Sequence, residues 1–246
     1  MIHKITVFVF ALSLFFAVPT EAQIKVQSHN DYEQQLPLWN ALRYRADFIE
    51  ADVFAIKGKL LVAHAAEELA RAPTLAELYL RPIEKLLKGK DTAQVFRQYG
   101  RFSLFIDIKE NSAVALPMLY RLMEKYPAIL KAGIQIVISG DRGHISEWKN
   151  APPYIQFDGR PTEQYDSATL QRVAMISDSY LNHRGRDAAG NSNIVNFVRH
   201  ADELGKPARL WATLDDPEIW KALVSLGIKI LNTDKIEELR KAFPYE

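Results

Sequence analysis

Short apolar runs recur along this chain, and each stops at a small group of polar or charged residues. Ile24–Ser28 ends on His29-Asn30-Asp31, Phe102–Ile106 runs into Asp107-Ile108-Lys109-Glu110, and Ile134–Ile138 ends at Ser139-Gly140-Asp141. Tyr154–Phe157 ends at Asp158-Gly159, Val173–Ile176 at Ser177-Asp178, Ala208–Ala212 at Thr213, and Ile228–Leu231 at Asn232-Thr233-Asp234. Runs of this length and β-branched content predict strands. The segments between them read as helices: Leu36–Tyr44, Thr74–Lys88, Asp91–Tyr99, a stretch capped by Asn111 and continuing to Tyr126, Ile194–Leu204, Pro217–Leu226 and Ile236–Phe243. Thr74 with Glu77 has the spacing of a capping box. Strands separated by helices predict a parallel sheet with helical crossovers. Over residues 23–246 the number of units fits a closed (β/α)8 TIM barrel better than an open doubly wound sheet. In such a barrel the polar groups after the strands meet at one end, the C-terminal face.

One stretch departs from this rhythm. Asp47–His64 opens as a strand, but Glu50 and Asp52 interrupt its apolar run, and Gly58 turns it back through Leu60-Leu61-Val62 to His64. Side chains two apart on a strand project from the same face. Two carboxylates there oppose each other's ionisation when buried, a penalty that a divalent cation removes, and Ca2+ and Mg2+ prefer oxygen ligands. The barrel adds Asn30 after the first strand and Asp107 after the third, giving Asn30, Glu50, Asp52 and Asp107 as the expected metal ligands. His29 and His64 are the expected proton-transfer pair, since imidazole titrates near neutrality. Lys109 shares a face with Asp107 and is expected to meet an anionic oxygen. A metal, two proton-transfer groups and a cation suit a phosphodiester.

Composition narrows the partners. Thirty-one basic residues against 30 acidic leave a net charge of +1, and no basic tract interleaved with aromatics points to nucleic acid. No glycine-rich phosphate motif supports a nucleotide cofactor. The chain contains no cysteine, so neither a disulfide nor cysteine-linked lipid is available. The basic start MIHK, the apolar run Ile5–Phe16 and small residues at Thr20 and Ala22 predict a signal peptide over residues 1–22. Its apolar run is shorter than a bilayer span. Residues 23–246 are then expected to form one exported barrel domain, periplasmic or extracellular, with at most peripheral membrane contact.

Ser28-His29-Asn30-Asp31-Tyr32 resembles the first-strand motif of the metal-dependent phosphoinositide phospholipases C, in which the histidine is catalytic and the asparagine binds calcium. Glu50-Ala51-Asp52 is similar to their metal pair, and His64 to their second catalytic histidine. Leu104–Lys109 resembles the third-strand motif of the glycerophosphodiester phosphodiesterases, and Leu210-Trp211-Ala212-Thr213 through Asn232-Thr233-Asp234 their closing pattern. The chain thus resembles the phospholipase C-like phosphodiesterases. The narrower resemblance is to the group around altered inheritance of mitochondria protein 6, through His29–Tyr32, Ala46–Val53 and Thr74–Tyr79. The resemblance implies a phosphoric diester hydrolase acting on a glycerophosphodiester or a phospholipid-derived phosphodiester. Two departures stand out: Asn30-Asp31 replaces the Arg-Gly that follows the first histidine in glycerophosphodiesterases, and Asp107 replaces a glutamate. Two rivals share the strand-end carboxylates. One is a catalytically silent barrel binding a phosphorylated or carbohydrate ligand; the other is a metal-dependent sugar isomerase or lyase, which would draw on Asp158 or Asp178.

Overall fold

In the computed structural model, which describes residues 23–184 and 188–245, each expected apolar run forms a strand. They are β1 (Lys25–Ser28), β2 (Phe48–Ile56), β3 (Lys59–Val62), β4 (Ser103–Ile108), β5 (Ile136–Gly140), β6 (Ile155–Gly159), β7 (Val173–Ser179), β8 (Ala208–Trp211) and β9 (Ile230–Thr233). Parallel pairing runs from β1 through β2, β4, β5, β6, β7, β8 and β9, and β9 returns to β1, so the sheet closes into the expected (β/α)8 barrel. β3 stands outside the ring as the antiparallel hairpin partner of β2. Lys57 (φ 47°) and Gly58 (φ 77°) make the hairpin turn, with both central residues at positive φ, as two-residue hairpins favour. The signal peptide expected over residues 1–22 lies outside the described residues. No helix among the described residues is long and apolar enough to cross a membrane.

The crossovers follow the sequence with several revisions. α1 (Trp39–Arg43) joins β1 to β2 and is shorter than expected. The Thr74–Glu77 capping box forms, with Thr74 N donating to Glu77 at 2.9 Å and Glu77 N donating to Thr74 Oγ1 at 3.2 Å. The helix behind it begins as a wide π turn, Ala76–Leu80, before α2 (Arg81–Leu87); Pro82 lacks the N–H that a regular α turn needs there. α3 (Thr92–Tyr99) then leads to β4. The single helix expected up to Tyr126 is two, α4 (Ser112–Met123) and α5 (Pro127–Lys131), with proline opening the second. Asn111 does not cap α4 with its side chain: it sits in the left-handed region, and Asp141 supplies the cap by accepting from Ser112 N at 2.8 Å and Ser112 Oγ at 2.7 Å. The remaining helices are α6 (Ser167–Leu170), α7 (Tyr180–His183), α8 (Ala188–Glu203), α9 (Pro217–Ser225) and α10 (Ile236–Ala242). α8 starts earlier than the Ile194 expected.

Apolar side chains pack in two places. The larger core lies between strands and helices, where Val26, Ile49, Leu104 and Ile138 meet Leu42, Ile83, Leu119, Trp220 and Leu239. The smaller core fills the barrel itself with Phe48, Phe105, Val137, Met175 and Ile230. Phe48 and Phe105 meet edge to face at 6.5 Å. This inner floor fixes what stands above it. Strand side chains alternate with period two, so Phe48 is followed inward by Glu50 and Asp52, Phe105 by Asp107 and Lys109, Val137 by Ser139, Met175 by Ser177, and Ile230 by Asn232 and Asp234. The barrel interior is apolar at its base and polar toward the C-terminal face because both sets lie on one face of each strand.

Candidate active site

All seven residues expected from the sequence line one cavity of about 290 Å³ at the C-terminal end of the barrel: His29, Asn30, Glu50, Asp52, His64, Asp107 and Lys109. Asp52 and Asp107 are register partners on β2 and β4, and Glu50 lies one inward step below Asp52. A carboxylate oxygen from each of Glu50, Asp52 and Asp107 falls within 4.8 Å of the others. Glu50 and Asp52 are buried and Asp107 is partly so. Burial pushes the Glu50 and Asp107 carboxyls up, opposed for Glu50 first by His29 and for Asp107 first by Lys109. Like charges this close and this poorly solvated favour a cation among them, and a set of hard oxygens fits Ca2+ or Mg2+. The trio could hold a metal ion.

Asn30 reaches this set through a hydroxyl. Its backbone is left-handed (φ 42°, ψ 45°), a conformation asparagine tolerates better than most residues. Tyr32 Oη lies 3.2 Å from Asn30 Oδ1 and donates to Asp52 Oδ2 at 2.9 Å. Burial first, and then the charge of Asp52, raise the phenol's pKa well above its ordinary value, so it remains a donor. The same hydroxyl lies 3.3 Å from His64 Nδ1. Tyr32 therefore links three of the expected residues, Asn30, Asp52 and His64.

The two histidines are held differently. His29 Nδ1 lies 2.7 Å from Asp234 Oδ1. Burial lowers the pKa of this imidazole, but the bond to Asp234 and the charge of Glu50 outweigh it and raise the result above the ordinary value. A carboxylate at Nδ1 keeps that nitrogen protonated and leaves Nε2 for exchange. His64 is more exposed, with Nδ1 3.3 Å from Asp52 Oδ2, and its backbone N–H is tied to Glu68 at 2.8 Å. Lys109 Nζ sits 2.6 Å from Asp52 and 3.6 Å from Asp107. Burial opposes its charge, yet the bond to Asp52 and the charge of Asp107 raise its pKa. Gly140 closes the wall beside them. At φ 67°, a Cβ there would fall 2.3 Å from Ile108 O and 2.6 Å from Asp107 Oδ1, so glycine is what lets β5 approach Asp107.

Ser139, Arg160, Arg209 and Trp211 also line the cavity. Trp211, the last residue of β8, lines the cavity and is partly exposed. The two arginines went unnoticed in the sequence. The available signal was Arg209 on an inward position of a strand otherwise reading Ala208, Leu210, Trp211. The late aspartates divide. Asp158 is fully buried against Arg160, Asp234 orients His29, Asp141 caps α4, and Asp178 accepts from His183 on α7. His183 is partly buried with its ring 4.9 Å from Phe197, away from the cavity. His144 and His200 also lie outside it.

Known proteins share parts of this sequence and its barrel fold. The AIM6-like phosphodiesterase domain model matches residues 19–127. Altered inheritance of mitochondria protein 6 of Eremothecium gossypii is 26% identical, over 88% of this chain and 69% of its own length. Its homolog from Arthroderma benhamiae is 25% identical, over 89% of this chain and 84% of its own length. Among solved structures, a glycerophosphodiester phosphodiesterase from Parabacteroides distasonis superposes with a TM-score of 0.58 at 15% identity, covering 90% of this chain and 98% of that one. One from Agrobacterium tumefaciens gives 0.52 at 13% identity, covering 88% and 97%. The chain is similar in sequence to the AIM6-like phosphodiesterases and in fold to the glycerophosphodiester phosphodiesterase TIM barrels, as its motifs imply.

Proposed function

We propose that the protein is an exported, metal-dependent phosphoric diester hydrolase acting on a glycerophosphodiester or phospholipid-derived substrate. The observation that carries this reading is the convergence, in one cavity, of three carboxylates within 4.8 Å of one another with two imidazoles and a lysine. Glu50, Asp52 and Asp107, with the Asn30 carbonyl oxygen, would hold Ca2+ or Mg2+. When bound, the ion offsets negative charge on a non-bridging phosphoryl oxygen.

The remaining roles fall to the chain itself. His29, with Nδ1 committed to Asp234, exchanges a proton at Nε2. His64, at the rim beside Asp52, serves the opposite proton transfer. One removes the proton of the attacking oxygen, and the other supplies one to the leaving oxygen as the P–O bond breaks. Lys109 places its charge beside the developing phosphorane oxygens. A substrate hydroxyl next to the phosphate would attack to give a cyclic phosphate; without one, water attacks and the diester becomes a monoester. A leader over residues 1–22 would deliver the barrel domain, residues 23–246, across the membrane.

The test is hydrolysis of bis(p-nitrophenyl) phosphate and of glycerophosphodiesters by the purified protein, after chelation and after restoring Ca2+ or Mg2+. Turnover that needs the ion and disappears in His29→Ala supports the reading. A folded, metal-binding protein without turnover on either substrate would make it a binding barrel instead.

A further inference from the structure

Opposite the carboxylate trio, the cavity has a second charged wall. Asp158 on β6 is fully buried. It accepts from Ser139 Oγ at 3.1 Å and from Ser177 Oγ, and its Oδ2 lies 2.8 Å from Arg160 Nη1 and 3.6 Å from Arg209 Nη1. One carboxylate, already accepting from two hydroxyls, thus faces two guanidiniums. A third arginine nearby, Arg142, is held bidentately by Glu163 at 2.9 and 3.1 Å and leaves the pair's balance unchanged. Lys109 belongs to the other wall, where Asp52 and Asp107 hold it.

Arg209 is the unusual member. It is 3% exposed, lines the cavity, and lies over the Phe105 ring at 4.9 Å. Its Nη1 reaches Ser177 at 3.4 Å, but its buried Nε has no hydrogen-bond partner among the described residues. A guanidinium withdrawn from water with an unused donor is costly to maintain. Its planar fork matches a phosphoryl group's oxygens. Arg160, anchored by Asp158 and by the Asp158 and Gly159 carbonyls at 3.1 and 3.0 Å, presents a second cation to the same space.

We infer that Arg209 and Arg160, braced by Asp158, form an anion cradle that holds the phosphoryl group of the substrate from the side opposite the carboxylates. The cradle supplies from β6 and β8 the arginine charge that Asn30-Asp31 does not supply after His29. It rests on the hydrolase reading for the identity of its anion, while its existence is testable without turnover.

The test is calorimetric titration of inorganic phosphate into chelator-treated protein, so that no ion on the carboxylates contributes. Wild type is expected to bind phosphate; Arg209→Gln and Arg160→Gln should each weaken binding by about tenfold or more, Arg209→Lys should recover part of it, and Lys221→Met, on the exposed face of α9 outside the cavity, should leave it unchanged. No binding by wild type, or undiminished binding by a folded Arg209→Gln protein, overturns the cradle. If Arg209→Gln does not fold, Arg160→Gln decides, because that side chain is partly exposed, and undiminished binding there has the same meaning. Arginine-dependent phosphate binding in a protein without turnover would sink the hydrolase reading and leave the cradle standing. Turnover with arginine-independent phosphate binding would do the reverse.

Discussion

The two walls of the cavity use the same charges in opposite proportion. On β2 and β4, three carboxylates surround one lysine; on β6 and β8, two arginines share one aspartate. The first wall has excess negative charge, which a divalent cation would balance, and the second has excess positive charge, which an anion would balance. A phosphodiester bridging a bound cation and the arginines would satisfy both. The difference shows that near-neutrality of the whole chain, +1, says little about its interior, where opposite charges are sorted across a few ångströms.

The largest effect is expected at the seam between the walls. His29 directly follows β1, which lies between β2 and β9, and His29→Ala should lower kcat on bis(p-nitrophenyl) phosphate by about 10²–10⁴-fold, the usual worth of a positioned proton-transfer group. Equal rates in variant and wild type would remove His29 from the chemistry. Next comes a contrast in stability. Asp158→Ala leaves buried Arg209 without its only ion-pair partner among the described residues and should cost about 3–5 kcal/mol in urea unfolding. Asp52→Ala should cost clearly less, since Lys109 is 26% exposed and keeps Asp107. Equal losses would erase the distinction between the walls.

A smaller change should sharpen the acidic wall. Tyr32→Phe removes the hydroxyl joining Asn30, Asp52 and His64, and should weaken Ca2+ or Mg2+ binding by about 10-fold, as the loss of supporting hydrogen bonds does at metal sites. Unchanged affinity would place Asn30 outside the ligand set. The smallest effect lies outside both walls. The bonds from Ser112 hold the Asp141 carboxyl below its ordinary pKa. A depressed folded-state pKa adds stability above the unfolded value, and that stability is lost as pH falls through the folded one. Asp141→Asn keeps an acceptor but loses the charge at the start of α4, so it should cost about 0.3–1 kcal/mol at pH 7, and the difference from wild type should shrink as the pH is lowered below 3.8. A pH-independent gap would assign the loss to packing.

The acidic wall was legible because its members come in pairs of fixed parity. Glu50 with Asp52, and Asp107 with Lys109, each sit two apart on a recognisable strand, so side-chain alternation alone places them together. The arginine wall has no such local signature. Arg209 is a single charge in an apolar strand, and its partner Asp158 stands two strands away, across Ser177 on β7. The bond from His29 to Asp234 likewise depends on closure, since β1 and β9 become neighbours only when the barrel completes itself, in register Ser28 with Thr233. Helix ends failed for a related reason: Asn111 has the right chemistry to cap α4, but its left-handed backbone points it away, and Asp141 arrives from β5 to do it. Short-range chemistry was readable wherever the strand period carried it. Contacts made by ring closure were not.

The hairpin strand gives His64 a different tenure from His29. The ring of eight closes through β1, β2 and β4 without β3, whose far edge is hydrogen-bonded, among the described residues, only through a bridge from Leu61 to Thr74 and a bond from Val62 N to Pro73 O at 2.8 Å. β3 can therefore separate from β2 without opening the barrel, whereas β1 can leave only by breaking the ring. Local opening takes less free energy than global unfolding. In hydrogen-exchange terms, the β3 amides should exchange through a sub-global event while those of β1 wait for the whole molecule, so that one imidazole is anchored to the most persistent part of the fold and the other to a part that can come and go.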